Sequence, residues 1–242
     1  MGPEPVPQRG AVRGRRVSAD TSDVIVHPSP NCGPRRDGLR PHLIVLHYTA
    51  MSGAEAALER LCDPGAEVSA HYLIGGDGRL WQMVDEDRRA WHAGAGSWGG
   101  LDDINSRSIG IELDNDGTHP FAEPQMAALE VLLPGIMARW DIAPEGVIAH
   151  SDMAPERKSD PGPRFDWQRL ARLGLSVWPR EADPQGREFD RLARAFGYPP
   201  EAPQAARLRA FRDRFRPGAD GPVSETDLRL LADLATRWPA RS

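Results

Sequence analysis

Two short apolar runs, each closed by a histidine, constrain this chain most: Leu43-Ile44-Val45-Leu46-His47 and Val147-Ile148-Ala149-His150. Aliphatic and β-branched residues without polar alternation are what a strand buried on both faces requires. Such strands need covering layers, and the rest of the chain supplies them. Ser52-Gly53-Ala54-Glu55 has capping-box spacing and opens a helix through about Leu61. Ala70 to Ile74 and Arg79 to Val84 flank the turn Gly75-Gly76-Asp77-Gly78 and read as a hairpin. Ser108 to Leu113 is a further strand. Met126, Leu129, Leu133, Ile136, Met137 and Trp140 recur at helical spacing after Pro124, with a kink or break expected at Pro134. Asp166 starts a helix with Trp167, Leu170 and Leu173 on one face.

Strands interleaved with helices predict an α/β domain, and the hairpin makes its central β-sheet mixed, flanked by helices. Residues 1–40, rich in Pro, Gly and Arg, read as an irregular N-terminal arm with a short extended piece at Val24-Ile25-Val26. The main domain occupies 41–180. Pro179, Asp183, Pro184 and Gly186 form a linker, and 186–242 is a small C-terminal helical module. Its first two helices carry Phe189, Leu192 and Phe196, then Leu208, Phe211 and Phe215. The third carries Leu228, Leu231 and Leu234, with Ser224 and Asp227 as its cap. Gly197 and Arg216-Pro217-Gly218 close the first two. Three helices this short are marginal alone and are expected to dock on the main domain.

A net charge of -5 argues against nucleic-acid binding driven by bulk charge. No run is long and apolar enough for a membrane span, and the start of the sequence lacks a secretory h-region. The expected compartment is therefore the cytoplasm, or the periplasm if an export signal has been removed. Cys32 and Cys62 are too few for a disulfide framework and are read as free thiols.

His47 and His150 each sit at a strand end, a rigid place from which to project a ligand. Asp160 lies in the turn Lys158-Ser159-Asp160-Pro161-Gly162. Two imidazoles and a carboxylate are a three-ligand zinc set with a fourth position open. No compact HExxH pair is present, and any single histidine can equally be a core or surface residue. Glu112 ends a buried strand, where a carboxylate has a raised pKa and can act as a base, unless its head group reaches solvent. Lys158 can face a developing oxyanion or be a solvated loop lysine. Trp91-His92-Ala93-Gly94 and Ser97-Trp98-Gly99-Gly100 offer aromatic faces suited to sugar or peptide, or to ordinary packing.

Six motifs in order carry a resemblance: Val45-Leu46-His47-Tyr48-Thr49, Ser69-Ala70-His71-Tyr72-Leu73, Trp91-His92-Ala93-Gly94, Ser108-Ile109-Gly110-Ile111-Glu112-Leu113, Ile148-Ala149-His150-Ser151-Asp152, and Ala154 through Pro163. Over about residues 40–180 the chain resembles the zinc-dependent N-acetylmuramoyl-L-alanine amidases of the AmpD and AmiD type, which share a fold with peptidoglycan recognition proteins. The resemblance implies Zn2+ held by His47, His150 and Asp160, with Glu112 and Lys158 catalytic. His71, Tyr72, Trp91 and His92 match positions lining or supporting the substrate cleft. The region after Trp178 resembles, more weakly, the helical peptidoglycan-binding module of the AmiD branch. The implied partners are peptidoglycan fragments or polymeric peptidoglycan, met by a monomer. A non-catalytic recognition module and a lysin cutting intact wall are the competing readings.

Overall fold

The structure is a computed structural model and describes residues 24–240. Residues 1–23 of the arm lie outside the described residues. Its first element, β1 (Val24–Val26), is the short extended piece expected there and forms one edge of the main sheet. A second piece of the arm, β2 (Cys32–Pro34), is also a strand, so this part of the chain is not irregular. It pairs antiparallel with β6 (Arg88–Ala90), stitched down by the Asn31 amide, which donates to the Asp63 and Val68 carbonyls.

The main sheet has six strands in the order β1-β5-β4-β7-β3-β8. Here β3 is Leu43–Tyr48, β4 Tyr72–Ile74, β5 Leu80–Gln82, β7 Ser108–Leu113 and β8 Val147–Ala149. The β4–β5 hairpin is antiparallel, whereas β4, β7, β3 and β8 run parallel, as a mixed sheet requires.

Side chains alternate across the sheet. Ile44, Leu46, Ile109, Ile111 and Val147 face α3 (Glu123–Trp140) and α5 (Trp167–Arg172), meeting Leu129, Leu133, Ile136 and Leu170. On the opposite face, Leu73 and Trp81 meet α1 (Ala54–Cys62). Leu43, Val45 and Ile148 meet the C-terminal helices α6 (Phe189–Phe196), α7 (Gln204–Phe215) and α8 (Glu225–Arg237). Those helices share one continuous apolar cluster with the sheet, which is how a unit too small to stand alone is stabilised.

Local signals hold with three exceptions, the first being Leu173, expected on the apolar face of α5 but found as its exposed C-cap. Asp166 caps α5 through the Arg169 N–H, and Ser224 with Asp227 forms the capping box of α8. Gly197 and Arg216 end α6 and α7. At α1, however, Gly53 is the N-cap and Ser52 makes no cap, because the helix begins one residue later than the box requires. At Pro134, α3 runs on without a break. The ring lies on the exposed side of the helix, where water can serve the carbonyl that loses its N–H partner.

Candidate metal centre and active site

The parallel register assembles the site. His47 pairs with Glu112 across β3 and β7, and Leu46 pairs with Ala149 across β3 and β8. His47, Glu112 and His150 therefore lie side by side where three parallel strands end, the usual place for a site in such a sheet. His150 opens the short helix α4 (His150–Met153), and Asp160 returns to it through a backbone bond from Ser151 N to the Asp160 carbonyl, 3.0 Å.

His47 Nδ1, His150 Nδ1 and Asp160 Oδ2 form a near-equilateral triangle: 2.9 Å between the nitrogens, 3.0 Å and 2.9 Å to the oxygen. All three side chains are buried. The far sides of the rings show where the protons are. Ser108 Oγ donates to the Ile104 carbonyl (2.6 Å), so it accepts from His92 Nε2 (3.1 Å). His92 Nδ1 is then a lone pair, and it accepts from His47 Nε2 at 3.0 Å. His150 Nε2 donates to the Ala93 carbonyl at 2.9 Å. Both ligand rings thus keep their protons outward and aim lone pairs at the carboxylate. Burial, and then the neighbouring His150, lowers the His47 pKa to about 4, which keeps that ring neutral. Two lone pairs and a carboxylate converging in a buried space are an electrostatic arrangement that a divalent cation resolves. The residues fit a metal ion.

Glu112 projects beside this triangle. Its Oε2 is sealed from solvent and has no hydrogen-bond partner among the described residues. Burial, and then the charge of Asp160, raises its pKa well above the usual glutamate range, opposed by Lys158. Lys158, Trp91, Tyr48 and Arg157 line the same cleft of about 310 Å3, at the small end of ligand sites.

The remaining expected cleft residues divide. Trp91 lines the cleft, half-buried. His92 borders it, but both its ring nitrogens are committed to His47 and Ser108, so it orients a ligand and offers no free group to substrate. His71 and Tyr72 do not reach the cleft. His71 is fully buried, accepting from the Gly110 N–H and donating to the Arg88 carbonyl. Tyr72 faces the α3 side of the sheet, where its hydroxyl donates to Glu86. Strand alternation explains Tyr72, which points to the other layer, whereas His71 is kept from the cleft by its backbone partners. Trp98 is likewise core, edge-on to Phe196 and Tyr198. The sequence reading missed Ser108 and Asn105, whose Oδ1 accepts from the His92 and Ala93 N–H groups. A Cβ at Gly110 would stand 2.4 Å from the His92 ring, so that glycine makes room for His92, but no sequence signal points to Ser108 or Asn105.

The N-acetylmuramoyl-L-alanine amidase profile matches residues 37–163, which contain the whole triangle together with Glu112 and Lys158. The chain belongs to the N-acetylmuramoyl-L-alanine amidase family. Among similar amidases, AmiD of Escherichia coli K12 is 36% identical over 231 residues, covering 80% of this chain and 82% of its own. The 1,6-anhydro-N-acetylmuramyl-L-alanine amidase AmpD of Citrobacter freundii is 36% identical over 60% of this chain and 87% of its own. The solved E. coli AmiD in complex with anhydro-N-acetylmuramic acid-L-Ala-D-gamma-Glu-L-Lys superposes with a TM-score of 0.75 at 33% identity, covering 85% of this chain and 93% of that one. Among the described residues no helix is long and apolar enough to cross a membrane.

Proposed function

We propose that this amidase uses zinc to hydrolyse the amide between the lactyl group of N-acetylmuramic acid, including its 1,6-anhydro form, and the L-alanine of the stem peptide. The observation that carries the reading is the triangle His47–His150–Asp160 with Glu112 beside it, whose Oε2 is buried without a partner among the described residues. Relatives named for muramyl–alanine cleavage, one of them solved with an anhydromuramyl peptide, supply the substrate class.

Zinc in such a set polarises a carbonyl and brings the pKa of a coordinated water to about 7. The chain's own residues then have defined tasks. His92 and Ser108 hold His47 in the tautomer that presents Nδ1. Glu112 takes the proton of the attacking water as its oxygen bonds to the amide carbon. It returns that proton to the alanine nitrogen as the C–N bond breaks, leaving a carboxylate on the sugar and a free peptide amine. The raised pKa of Glu112 suits both halves of this exchange. The Lys158 ammonium faces the developing oxyanion. Trp91 and Tyr48 wall the cleft against substrate.

Muropeptide fragments are the favoured substrate and intact sacculi the competing one. Mass spectrometry of products from the zinc-loaded enzyme, offered anhydromuramyl tripeptide and sacculi side by side, tests this. Release of peptide beginning with L-alanine, faster from the fragment, is expected. Cleavage at any other bond contradicts the reading.

A further inference from the structure

Helix α7 belongs to the C-terminal unit, yet two of its arginines reach into the elements that carry the site. Arg214, buried, pairs with the equally buried Asp152 and donates to the Val147 carbonyl at 2.9 Å. Asp152 lies two residues after His150, accepts from the Ala149 N–H at 2.9 Å and receives the Tyr198 hydroxyl at 2.8 Å. Arg209, nearly one and a half helical turns earlier, is exposed and makes no ion pair among the described residues. Its Nη2 donates instead to the Pro155 carbonyl and, at 2.8 Å, to the carbonyl of Lys158 itself. Within the 154–158 turn the Ala154 carbonyl accepts from Arg157 N and Lys158 N, and the Arg157 side chain ties the turn to the Ala93 and Ala95 carbonyls on the cleft side, so Arg209 is its anchor from the α7 side. A guanidinium spanning two carbonyls fixes the turn from outside as a single rigid group.

We propose that the C-terminal helical unit is part of the catalytic apparatus, with Arg209 the positioning residue that sets the Lys158 backbone, and hence its ammonium, against the reacting carbonyl. The inference rests on the role given to Lys158. It assigns α7 a task inside the amidase centre, distinct from binding the wall.

Full-length, zinc-loaded Arg209→Ala, Lys158→Ala and the double variant are compared on anhydromuramyl tripeptide, with Arg209→Lys as a fourth enzyme. Displacing a catalytic group by about 1 Å costs on the order of a hundredfold; for a turn loosened at one anchor we expect kcat to fall about tenfold, with KM changed less than about twofold. Zinc content and thermal midpoint should match wild type, because Arg209 is exposed and contacts no ligand side chain. Lysine, which keeps the charge and the donors but on a more flexible stem without the planar guanidinium, should recover part of the loss. In the Lys158→Ala background the Arg209 change should cost nothing further, since residues acting as a unit are not additive. Wild-type kcat in Arg209→Ala overturns the proposal, as does a multiplicative loss in the double variant. Full activity of Lys158→Ala overturns the role of Lys158, a failure of the functional reading separable from the other two.

Discussion

His92 illustrates how much of this site is decided one residue away from the metal position. With Nε2 donating to Ser108 and Nδ1 accepting from His47, it fixes the only tautomer of His47 that presents a lone pair to the triangle. Removing such an outer partner typically weakens metal affinity about 10–100-fold. Zinc titration against a competing chelator should show that loss in His92→Ala. His92→Gln should retain much of the affinity, since an amide can accept from His47 and donate to Ser108; equal affinity in all three would refute the relay. Glu112 makes a second prediction. Its folded pKa is raised, so the folded metal-free chain holds that proton more tightly than the unfolded one, and stability drains as pH rises above the unfolded value of about 4.3. Glu112→Gln stays neutral throughout. Metal-free Glu112→Gln should therefore melt above wild type at pH 8, with the gap closing towards pH 4, while its hydrolytic activity is lost. A gap independent of pH would contradict the raised pKa of Glu112.

At the scale of elements, β3 and β8 were legible because runs such as Leu43 to Leu46 state their burial directly, and the caps at Asp166 and Ser224 did the same for α5 and α8. What a linear pattern does not contain is register and facing. His71 and Tyr72 stand in one motif with cleft residues, but alternation turns Tyr72 to the α3 layer, and His71 is consumed by backbone partners on β6 and β7. Trp98 looked equally suited to sugar or core, and the arrival of Phe196 and Tyr198 from a distant helix makes it core. The triangle itself needed the six-motif resemblance, since His47 and Asp160 are 113 residues apart. The Arg214–Asp152 pair had no signal at all. Both groups are buried, so deleting one strands the other: Arg214→Ala should cost about 3–5 kcal/mol in denaturant unfolding. A loss below about 1 kcal/mol, the range of exposed pairs, would mean the pair is open to water.

Over the whole molecule, one layered core serves two ends. The sheet's α3 face packs against α3 and α5, and its other face carries α1, the cleft and the C-terminal helices together. That arrangement places an open cleft at the strand ends while every ligand is anchored to a buried element. The measurement that tests this most directly is X-ray absorption at the zinc edge on the reconstituted protein. Two imidazole nitrogens and carboxylate oxygen at about 2.0–2.2 Å, in a four-coordinate shell, is the expected result. Sulfur at about 2.3 Å, implicating Cys32 or Cys62, or a spectrum unchanged in Asp160→Ala, would contradict it.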